Sequence, residues 1–229
     1  MTALRVRQVV IAVGDLGARA AEAEGCGLPF VYQDPDVGVF GAVNSLHAAD
    51  DTFVELLAER DAGSAVGRHL DRLGGDGGYM VIVQVDDLDD HLALVEAAGI
   101  RTIFEAVADG IRGVHLHPAD IGSAILSLDE AEPPESWPWC GPIWSGGAPA
   151  THGTPITAIT LTAADPIVTA ARWAWVLGVA SEGSSVRIEG TAIDFVAADD
   201  RSDRLVGVTI PGLTGFEVGG VAFSPEVAE

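Results

Sequence analysis

The chain has 229 residues, a formal net charge of −22 and 48% hydrophobic residues, a composition typical of a globular protein with a sizeable apolar core. All 12 of its basic residues are arginines. Because so acidic a surface repels phosphate backbones and anionic lipids, we expect no nucleic-acid partner and no membrane association. No apolar run approaches the ~20 residues of a membrane span, and the N-terminus lacks a signal-peptide pattern. The sequence therefore predicts a cytoplasmic protein.

The chain contains two cysteines, Cys26 and Cys140. They lie far apart and show neither CxxC nor Cys/His spacing, so the sequence indicates no cysteine-based metal or redox motif. A disulfide is compatible with the sequence, but a reducing compartment favours two free, buried thiols.

Two stretches of the chain resemble each other at a spacing of 72 residues. Residues 8–16 read QVVIAVGDL and residues 80–88 read MVIVQVDDL, each a β-branched run that ends in Val-x-Asp-Leu. An amphipathic stretch and three strand-like runs follow each of them, so the order βαβββ occurs twice. The amphipathic stretches cover residues 17–24 and 89–98, and the strand-like runs cover 28–33, 37–45 and 52–58, then 101–107, 113–117 and 123–129.

A fainter third copy follows, with an opening strand over 156–166, a helix over 167–178 and strand-like runs at 186–188, 192–197 and 205–210. Before it lies a stretch rich in Pro, Gly and Trp. We interpret this stretch as an ordered linker, because Trp137, Trp139 and Trp144 would seldom be left in water. Packing of the three indoles between the second and third modules is favoured, and a roof over a ligand pocket is the alternative.

The predicted fold class is α+β, with paired βαβββ modules forming an incomplete barrel around a shared cavity and a third βαβββ-like module. A single such module has one apolar face that needs a partner. The third module must therefore pack on the back of the first pair or against another chain, and we expect a homodimer. The predicted boundaries are 1–62 for module 1, 63–78 for a bridging segment, 79–131 for module 2, 132–153 for the linker and 154–229 for the third module.

The paired modules, each opening with an apolar strand and Val-x-Asp-Leu, resemble the vicinal oxygen chelate (glyoxalase-like) superfamily. Its members include glyoxalase I, methylmalonyl-CoA epimerase, extradiol dioxygenases and bleomycin-resistance proteins. The resemblance covers residues 4–130 well and 154–229 weakly. The stretch GVHLHPADIGSAILSLDEAEPP, with His-Pro-x-Asp-x-Gly before an apolar strand, is similar to the methylmalonyl-CoA epimerase-like branch.

The resemblance implies a metal in the cavity, with ligands at Gln8, Glu55, Met80 and Ser127. Only Glu55 is a good anionic ligand, because a thioether and a hydroxyl are poor partners for a hard divalent ion. We therefore expect the ordinary four-ligand site to be absent and assign no cofactor. A divalent metal held by Gln8, Glu55 and His117 is the variant that stays open.

Three side chains are candidates for proton transfer. Glu55 lies in an otherwise apolar strand, and an apolar cavity would raise the pKa of its carboxyl and suit it to act as a base. A barrel-interior glutamate paired with an arginine is the alternative. His115 and His117 would point to one side of a strand and could act as acid or orienting group. The alternative places both near the strand end, with one of them capping the next turn.

Five further positions are expected to contact a ligand: Gln8, Tyr79, Met80, Gln84 and Ser127. A solvent-facing amide at Gln8 and a core position for Tyr79 are the alternatives. The glycine-rich GGDGGY at 74–79 lacks phosphate-loop spacing and precedes a strand, so we interpret it as a hinge between modules. The helix-like segment 65–73 is predicted to bridge the modules.

The sequence supports two main functions. The first is an enzyme acting on a small carbonyl or carboxylate compound by isomerase, epimerase or lyase chemistry, with Glu55 as base and His115 or His117 as acid or orienting group. The second is a non-catalytic small-molecule-binding protein of the resistance type, which would need an aromatic-lined cleft and no catalytic carboxylate. A vestigial cavity in a dimeric scaffold is a third possibility.

Overall fold

The computed structural model describes residues 4–144, 153–198 and 203–226, so the predicted linker lies outside the described residues over 145–152. Its helices are α1 (Leu16–Gly25), α2 (Ala65–Leu73), α3 (Leu88–Ala97), α4 (Pro118–Ile121) and α5 (Pro166–Val176). Its strands are β1 (Arg5–Ala12), β2 (Phe30–Tyr32), β3 (Ala42–Ala49), β4 (Thr52–Glu59), β5 (Gly77–Val85), β6 (Thr102–Ala108), β7 (Ile111–Leu116), β8 (Ile125–Ala131), β9 (Ala158–Ala163), β10 (Ser181–Glu182), β11 (Ser185–Ile188), β12 (Thr191–Ala197), β13 (Arg204–Thr209), β14 (Phe216–Val218) and β15 (Val221–Ser224).

The first sheet contains both predicted modules. Its eight strands lie in the order β2-β3-β4-β1-β5-β8-β7-β6. In each module the opening strand is parallel to the closing one, β1 to β4 and β5 to β8, and the two opening strands pair antiparallel at the centre. The prediction of two paired βαβββ modules is confirmed, and the bridging helix α2 spans the predicted residues 65–73.

The aspartate of the repeated motif has a structural task. Asp15 is the N-cap of α1 and accepts a hydrogen bond from the N–H of Ala18. Asp87 caps α3 in the same way, and Asp165 caps α5. Since the first N–H groups of a helix have no partner within it, a capping carboxylate fixes where each helix begins. The motif therefore marks the strand-to-helix junction of each module.

The second sheet extends further than the predicted third module. Its seven strands lie in the order β10-β11-β12-β9-β13-β15-β14. Strand β9 is parallel to β12 and antiparallel to β13, which in turn is parallel to β15. The run 205–210, assigned from the sequence as the last strand of a third module, thus occupies the position that β5 has in the first sheet. The two sheets share one pairing scheme, and β13 to β15 add half of a further module.

One predicted strand starts later than expected. The run 37–45 was assigned as a strand, but Pro35–Phe40 form a 3-10 helix and β3 begins only at Ala42. Asp34 caps this helix by accepting from the N–H of Asp36, proline occupies its first turn, and Gly41 ends it in the left-handed region with φ 67°. Proline and capping aspartate favour a helical turn over an extended start.

The second sheet packs on the back of the first within the same chain. One continuous apolar core contains residues of both sheets and of α1, α3 and α5. At Gly78 a Cβ atom would overlap the carbonyl oxygen of Leu205 on β13. The backbones of the two sheets therefore approach each other there as closely as a residue without a side chain allows. The expected homodimer is not tested by this packing and stays a prediction.

Two further expectations concern the cysteines and the membrane. Both thiols are free, with Cys140 buried and Cys26 half-buried. Among the helices of the described residues, none combines the length and the apolar character needed to cross a membrane.

Replacing Gly78 by alanine tests the contact between the sheets. The added methyl group meets backbone atoms that cannot rotate away, so we expect the free energy of unfolding to fall by about 1–3 kcal/mol. Urea denaturation measures the change. Gly25→Ala is the matched control, because a Cβ at Gly25 has no other heavy atom within 4 Å, and its effect should stay within about 0.5 kcal/mol. Equal stability of the two variants would contradict the close contact.

Candidate functional site on the inner face of the first sheet

The inner face of the first sheet is formed by the side chains that point into its curl. Its apolar and polar members alternate with the core residues on the back of the same strands. The apolar members form one buried cluster of Val10, Leu46, Phe53, Met80, Ile82 and Ile125. The polar members include Gln8, Asn44, Glu55, Ser127 and Asp129, all of them buried.

Residues 132–144, which we call the covering segment, lie on this inner face. Trp137, Cys140 and Trp144 belong to the same buried cluster as the apolar inner-face residues, and the ring centroids of Trp144 and Phe53 are 4.8 Å apart. The predicted packing of the three indoles between modules two and three is therefore wrong. The inner face of a half-open barrel is itself a large apolar surface that needs cover, and the chain supplies the cover directly after β8.

The carboxyl group of Glu55 is held by two side-chain amides. Gln8 Nε2 donates to Glu55 Oε2 over 2.7 Å, and Asn44 Nδ2 donates to Glu55 Oε1 over 2.7 Å. Burial raises the pKa of Glu55 to about 7, although both hydrogen bonds act in the opposite direction. The side chain is therefore divided between its acid and its base form near neutral pH, the condition under which a carboxylate is an effective general base.

The orientation of both amides is fixed by their other partners. Gln8 Oε1 accepts from the indole Nε1 of Trp137 over 2.9 Å, and Asn44 Oδ1 accepts from the backbone N–H of Asp34 over 2.9 Å. An indole and a backbone N–H can only donate. Each amide must therefore present its oxygen to that donor and its NH2 group to Glu55.

A second buried carboxyl lies on the closing strand of module 2. Asp129 accepts hydrogen bonds from the Ser127 hydroxyl and from the indole Nε1 of Trp139, the latter over 2.7 Å. Burial raises the pKa of Asp129 to about 7. A Cβ on Gly113 of the neighbouring strand would overlap the Asp129 carboxylate, so a larger residue there would push this acid out of its present position.

Two polar residues of the opening strands hold the backbone of the covering segment. Gln84 Nε2 donates to the carbonyl oxygen of Pro134 over 2.7 Å, and Arg7 Nη2 donates to that of Glu135 over 3.0 Å. The guanidinium carbon of Arg7 also lies 5.2 Å from the ring centroid of Trp137. The segment is thus seated by directed hydrogen bonds as well as by apolar contact.

The two candidate histidines lie in different surroundings. His115 pairs with Ser127 across β7 and β8 and therefore points to the inner face, where its ring lies 5.2 Å from that of Phe104. Burial lowers the pKa of His115 to about 4, so its imidazole is neutral. His117 lies beyond the end of β7 as the N-cap of α4, and its Nδ1 accepts from the N–H of Ala119 over 3.1 Å. The structure brings only His115 to the inner face.

The remaining candidates, Met80, Tyr79 and Gln84, also lie in different surroundings. Met80 lies in the apolar cluster of the inner face. Tyr79 packs at its edge, with its ring centroid 4.9 Å from that of His69. Gln84 lies beside Arg7 and accepts from its Nη1 over 3.2 Å. Of the predicted site residues, Glu55 and Gln8 are joined by a side-chain hydrogen bond, and His115 and Ser127 are paired neighbours on β7 and β8.

Comparison with known proteins gives a fold and no family. No protein-family model matches the chain, and no curated protein matches it. The solved structures similar to it include methylmalonyl-CoA epimerase from Mycobacterium tuberculosis, with 24% identity, a TM-score of 0.50, and 56% of this chain and 87% of that chain covered. They also include a Streptomyces coelicolor methylmalonyl-CoA epimerase variant in complex with 2-nitronate-propionyl-CoA (21% identity, 56% and 96% covered, TM-score 0.50). A hypothetical protein from Bacillus halodurans matches at 17% identity, with 56% and 94% covered and a TM-score of 0.50.

The fold is the vicinal oxygen chelate fold. The four strand positions at which the resemblance places metal ligands do not suit a divalent ion here. Both oxygens of Glu55 accept from amides, Gln8 presents its oxygen to Trp137, and Ser127 donates to Asp129. His117, proposed as a third ligand, contacts Ala119 instead. Within the described ranges, no group of three or more His, Cys, Asp and Glu side chains is placed to hold a metal ion.

Sequence reasoning did not place Asp129 or Arg7 in this site, and it favoured a different place for Trp137. Asp129 follows Ser127 by two positions, so strand alternation alone would have placed it on the inner face. Trp137 carried a signal as a tryptophan in a Pro- and Gly-rich stretch, but nothing local shows where it packs. Arg7 has no such signal. Strand alternation predicts that Arg7 and Gln8, as consecutive residues, point to different faces of the sheet. The β-bulge between Val6 and Gln8 lets both side chains reach Trp137 on the same face.

The raised pKa of Glu55 predicts a pH-dependent stability. The folded-state pKa of about 7 exceeds the ordinary glutamate pKa of 4.5, so on raising the pH the folded chain keeps this proton to a higher pH than the unfolded chain does. Stability from this residue is complete below pH 4.5 and is lost as the pH rises through 7. Relative to Glu55→Gln, we expect the wild type to lose about 3 kcal/mol over this window.

Urea denaturation at several pH values measures this difference. Glu105→Gln, which removes an exposed carboxyl from the same sheet, reports the effect of deleting one negative charge. If the stability difference between wild type and Glu55→Gln is independent of pH, Glu55 does not titrate as the structure indicates.

Proposed function

We propose that this chain binds a small carbonyl or carboxylate compound on the inner face of the first sheet and moves a proton on it, with Glu55 as the base. The reaction would be of the isomerase, epimerase or lyase type. One observation carries the proposal: the buried carboxyl of Glu55, whose pKa is raised to about 7 by burial, is held by two amides of fixed orientation. A base needs this combination of a matched pKa and a defined direction.

The neighbouring groups support a proton transfer. The Gln8 and Asn44 amides stabilise the ionised form of Glu55 without giving it a proton, because amide groups do not titrate. His115 presents a neutral imidazole to the same face, and we assign it as the group that orients the substrate or returns a proton. The solved structures of methylmalonyl-CoA epimerase share the fold, and we propose an epimerase-like reaction on that ground together with the His-Pro-x-Asp-x-Gly stretch.

The covering segment has to move for a substrate to reach Glu55. Trp137 and Cys140 are fully buried above the Gln8 amide, so a ligand must displace the Trp137 indole and donate to Gln8 Oε1 in its place, which keeps the amide oriented toward Glu55. A closed, water-excluding cover over a base is useful in proton transfer, since it strengthens electrostatic interactions and prevents leakage of the proton.

Hydrogen–deuterium exchange tests the proposed reaction. We expect the wild type to exchange the C–H next to a carbonyl in a panel of 2-oxo acids, hydroxyketones and methylmalonyl-CoA in D2O, followed by proton NMR. The rate should rise with pH and level off above about 7, because Glu55 must be ionised. Glu55→Gln should slow the exchange at least ~100-fold, and Glu105→Gln should leave it unchanged. Exchange that survives in Glu55→Gln would contradict the assignment.

A non-catalytic binding protein is the second candidate, and one observation favours it. Both Glu55 oxygens already have partners, and Trp137 and Trp144 are buried on the same inner face, as in an aromatic-lined cleft that sequesters a flat molecule. In that case no compound of the panel exchanges its proton. A compound found to bind by calorimetry would bind wild type and Glu55→Gln with the same affinity, which separates this function from catalysis.

A further inference from the structure

Arg7 carries a positive charge that is completely buried. In a chain of net charge −22 with 12 basic residues, its side chain is fully buried, at 0% exposure. Arginine is rarely buried completely unless a carboxylate pairs with it. The nearest carboxylate oxygen, on Asp51, is 3.6 Å from Arg7 Nη1 and already pairs with Arg5.

The hydrogen bonds of Arg7 leave part of its binding capacity unused. Nη1 donates to Gln84 Oε1 over 3.2 Å and Nη2 to the Glu135 carbonyl over 3.0 Å. The buried Nε atom has no hydrogen-bond partner. Neutral carbonyl oxygens satisfy single N–H groups but not a charge, and a carboxylate would match two adjacent donors of the guanidinium fork.

A neutral side chain would suffice to hold the covering segment. Gln84 does so through its amide, which donates to Pro134 O. Burying a full positive charge for a second bond of this kind is energetically unfavourable. The task of Arg7 therefore extends beyond holding the Glu135 carbonyl.

Trp137 occupies the space between Arg7 and the Gln8–Glu55 pair. The guanidinium carbon lies over its ring, 5.2 Å from the centroid, and Nε1 at the edge of the ring donates to Gln8 Oε1. A flat molecule of about the size of an indole in this place would lie beside the guanidinium and turn one edge toward the amide that binds Glu55.

We propose that Arg7 is the anion receptor of the inner face and that the natural ligand is a small, flat carboxylate, which binds where the Trp137 indole now lies. The ligand's carboxylate pairs with the Arg7 guanidinium through its unused donors, and the far end of the ligand points toward Gln8 and Glu55. This inference rests on the proposed function for the location of the site and narrows its ligand from carbonyl or carboxylate compounds to carboxylates.

Benzoate and benzamide form a matched pair of probes for this receptor, since they share shape and differ in charge. We expect the full chain carrying Trp137→Ala, which empties the indole's place, to bind benzoate at least ~10-fold more tightly than benzamide in chloride-free buffer, as measured by calorimetry. The wild type should show the same preference with weaker binding, because benzoate must displace the indole. Thermal shifts of the wild type give the same comparison if Trp137→Ala does not fold.

Two second-site changes separate a receptor from a general charge effect. Arg7→Met added to Trp137→Ala keeps an unbranched, flexible side chain without its charge and should abolish the preference for benzoate. Arg5→Met is the control, because Arg5 also pairs with Asp51 and Gln84 but makes no hydrogen bond to the covering segment, and the preference should survive. Equal binding of the two probes, binding of neither, or a preference that survives Arg7→Met overturns the proposal.

The results remain distinguishable from those for proton transfer. Benzoate binding through Arg7 without proton exchange on any compound keeps the receptor and rejects the proposed reaction. Proton exchange on neutral carbonyl compounds without a preference for benzoate keeps the reaction and rejects the receptor.

Discussion

The hydrogen bond from the Trp137 indole to the Gln8 amide determines the arrangement of the site. An indole can only donate, so the Gln8 oxygen faces Trp137 and its NH2 group faces Glu55. If this donor were absent, the amide could rotate and present its oxygen to the carboxylate, which would replace an attraction by a repulsion. The electrostatics of a residue on β4 thus depend on a residue more than 80 positions away in sequence.

This dependence explains why a chain with so acidic a surface can bury two carboxyls on one face. Neither Glu55 nor Asp129 pairs with an arginine. Each accepts two uncharged donors instead, and in each case an indole of the covering segment takes part, directly at Asp129 and through Gln8 at Glu55. Hydrogen bonds from uncharged donors offset only part of the free-energy cost of burying an ionised carboxylate. The pKa of each acid is therefore raised to about 7, and Arg7, a buried cation of the same face, forms an ion pair with neither of them.

Much of the fold could be read from the sequence, because the signals were local and repeated. The Val-x-Asp-Leu motif marks strand ends at which Asp15 and Asp87 cap helices, and Gly99 follows the second helix as expected. The place where the covering segment packs could not be predicted. A tryptophan such as Trp137 is expected to be buried, but the sequence does not indicate against which strand. Arg7 was missed for a different reason. A β-bulge reverses the alternation on which every facing assignment relied, and a bulge has no reliable signature in one sequence.

Because the two sheets share one pairing scheme, equivalent positions in them carry an acidic residue in two different surroundings. In the first sheet Glu55 is the fourth residue of a strand that begins with Thr52, and it lies opposite Val10 of the opening strand. In the second sheet Asp194 is the fourth residue of a strand that begins with Thr191, and it lies opposite Thr160. Glu55 is buried and accepts from two amides, whereas Asp194 is half-exposed and accepts from the Ser185 hydroxyl. The same strand position thus occurs twice in one chain, once with a buried acid and once with a half-exposed acid. Comparing the two shows, within a single protein, how burial changes the behaviour of a carboxyl group.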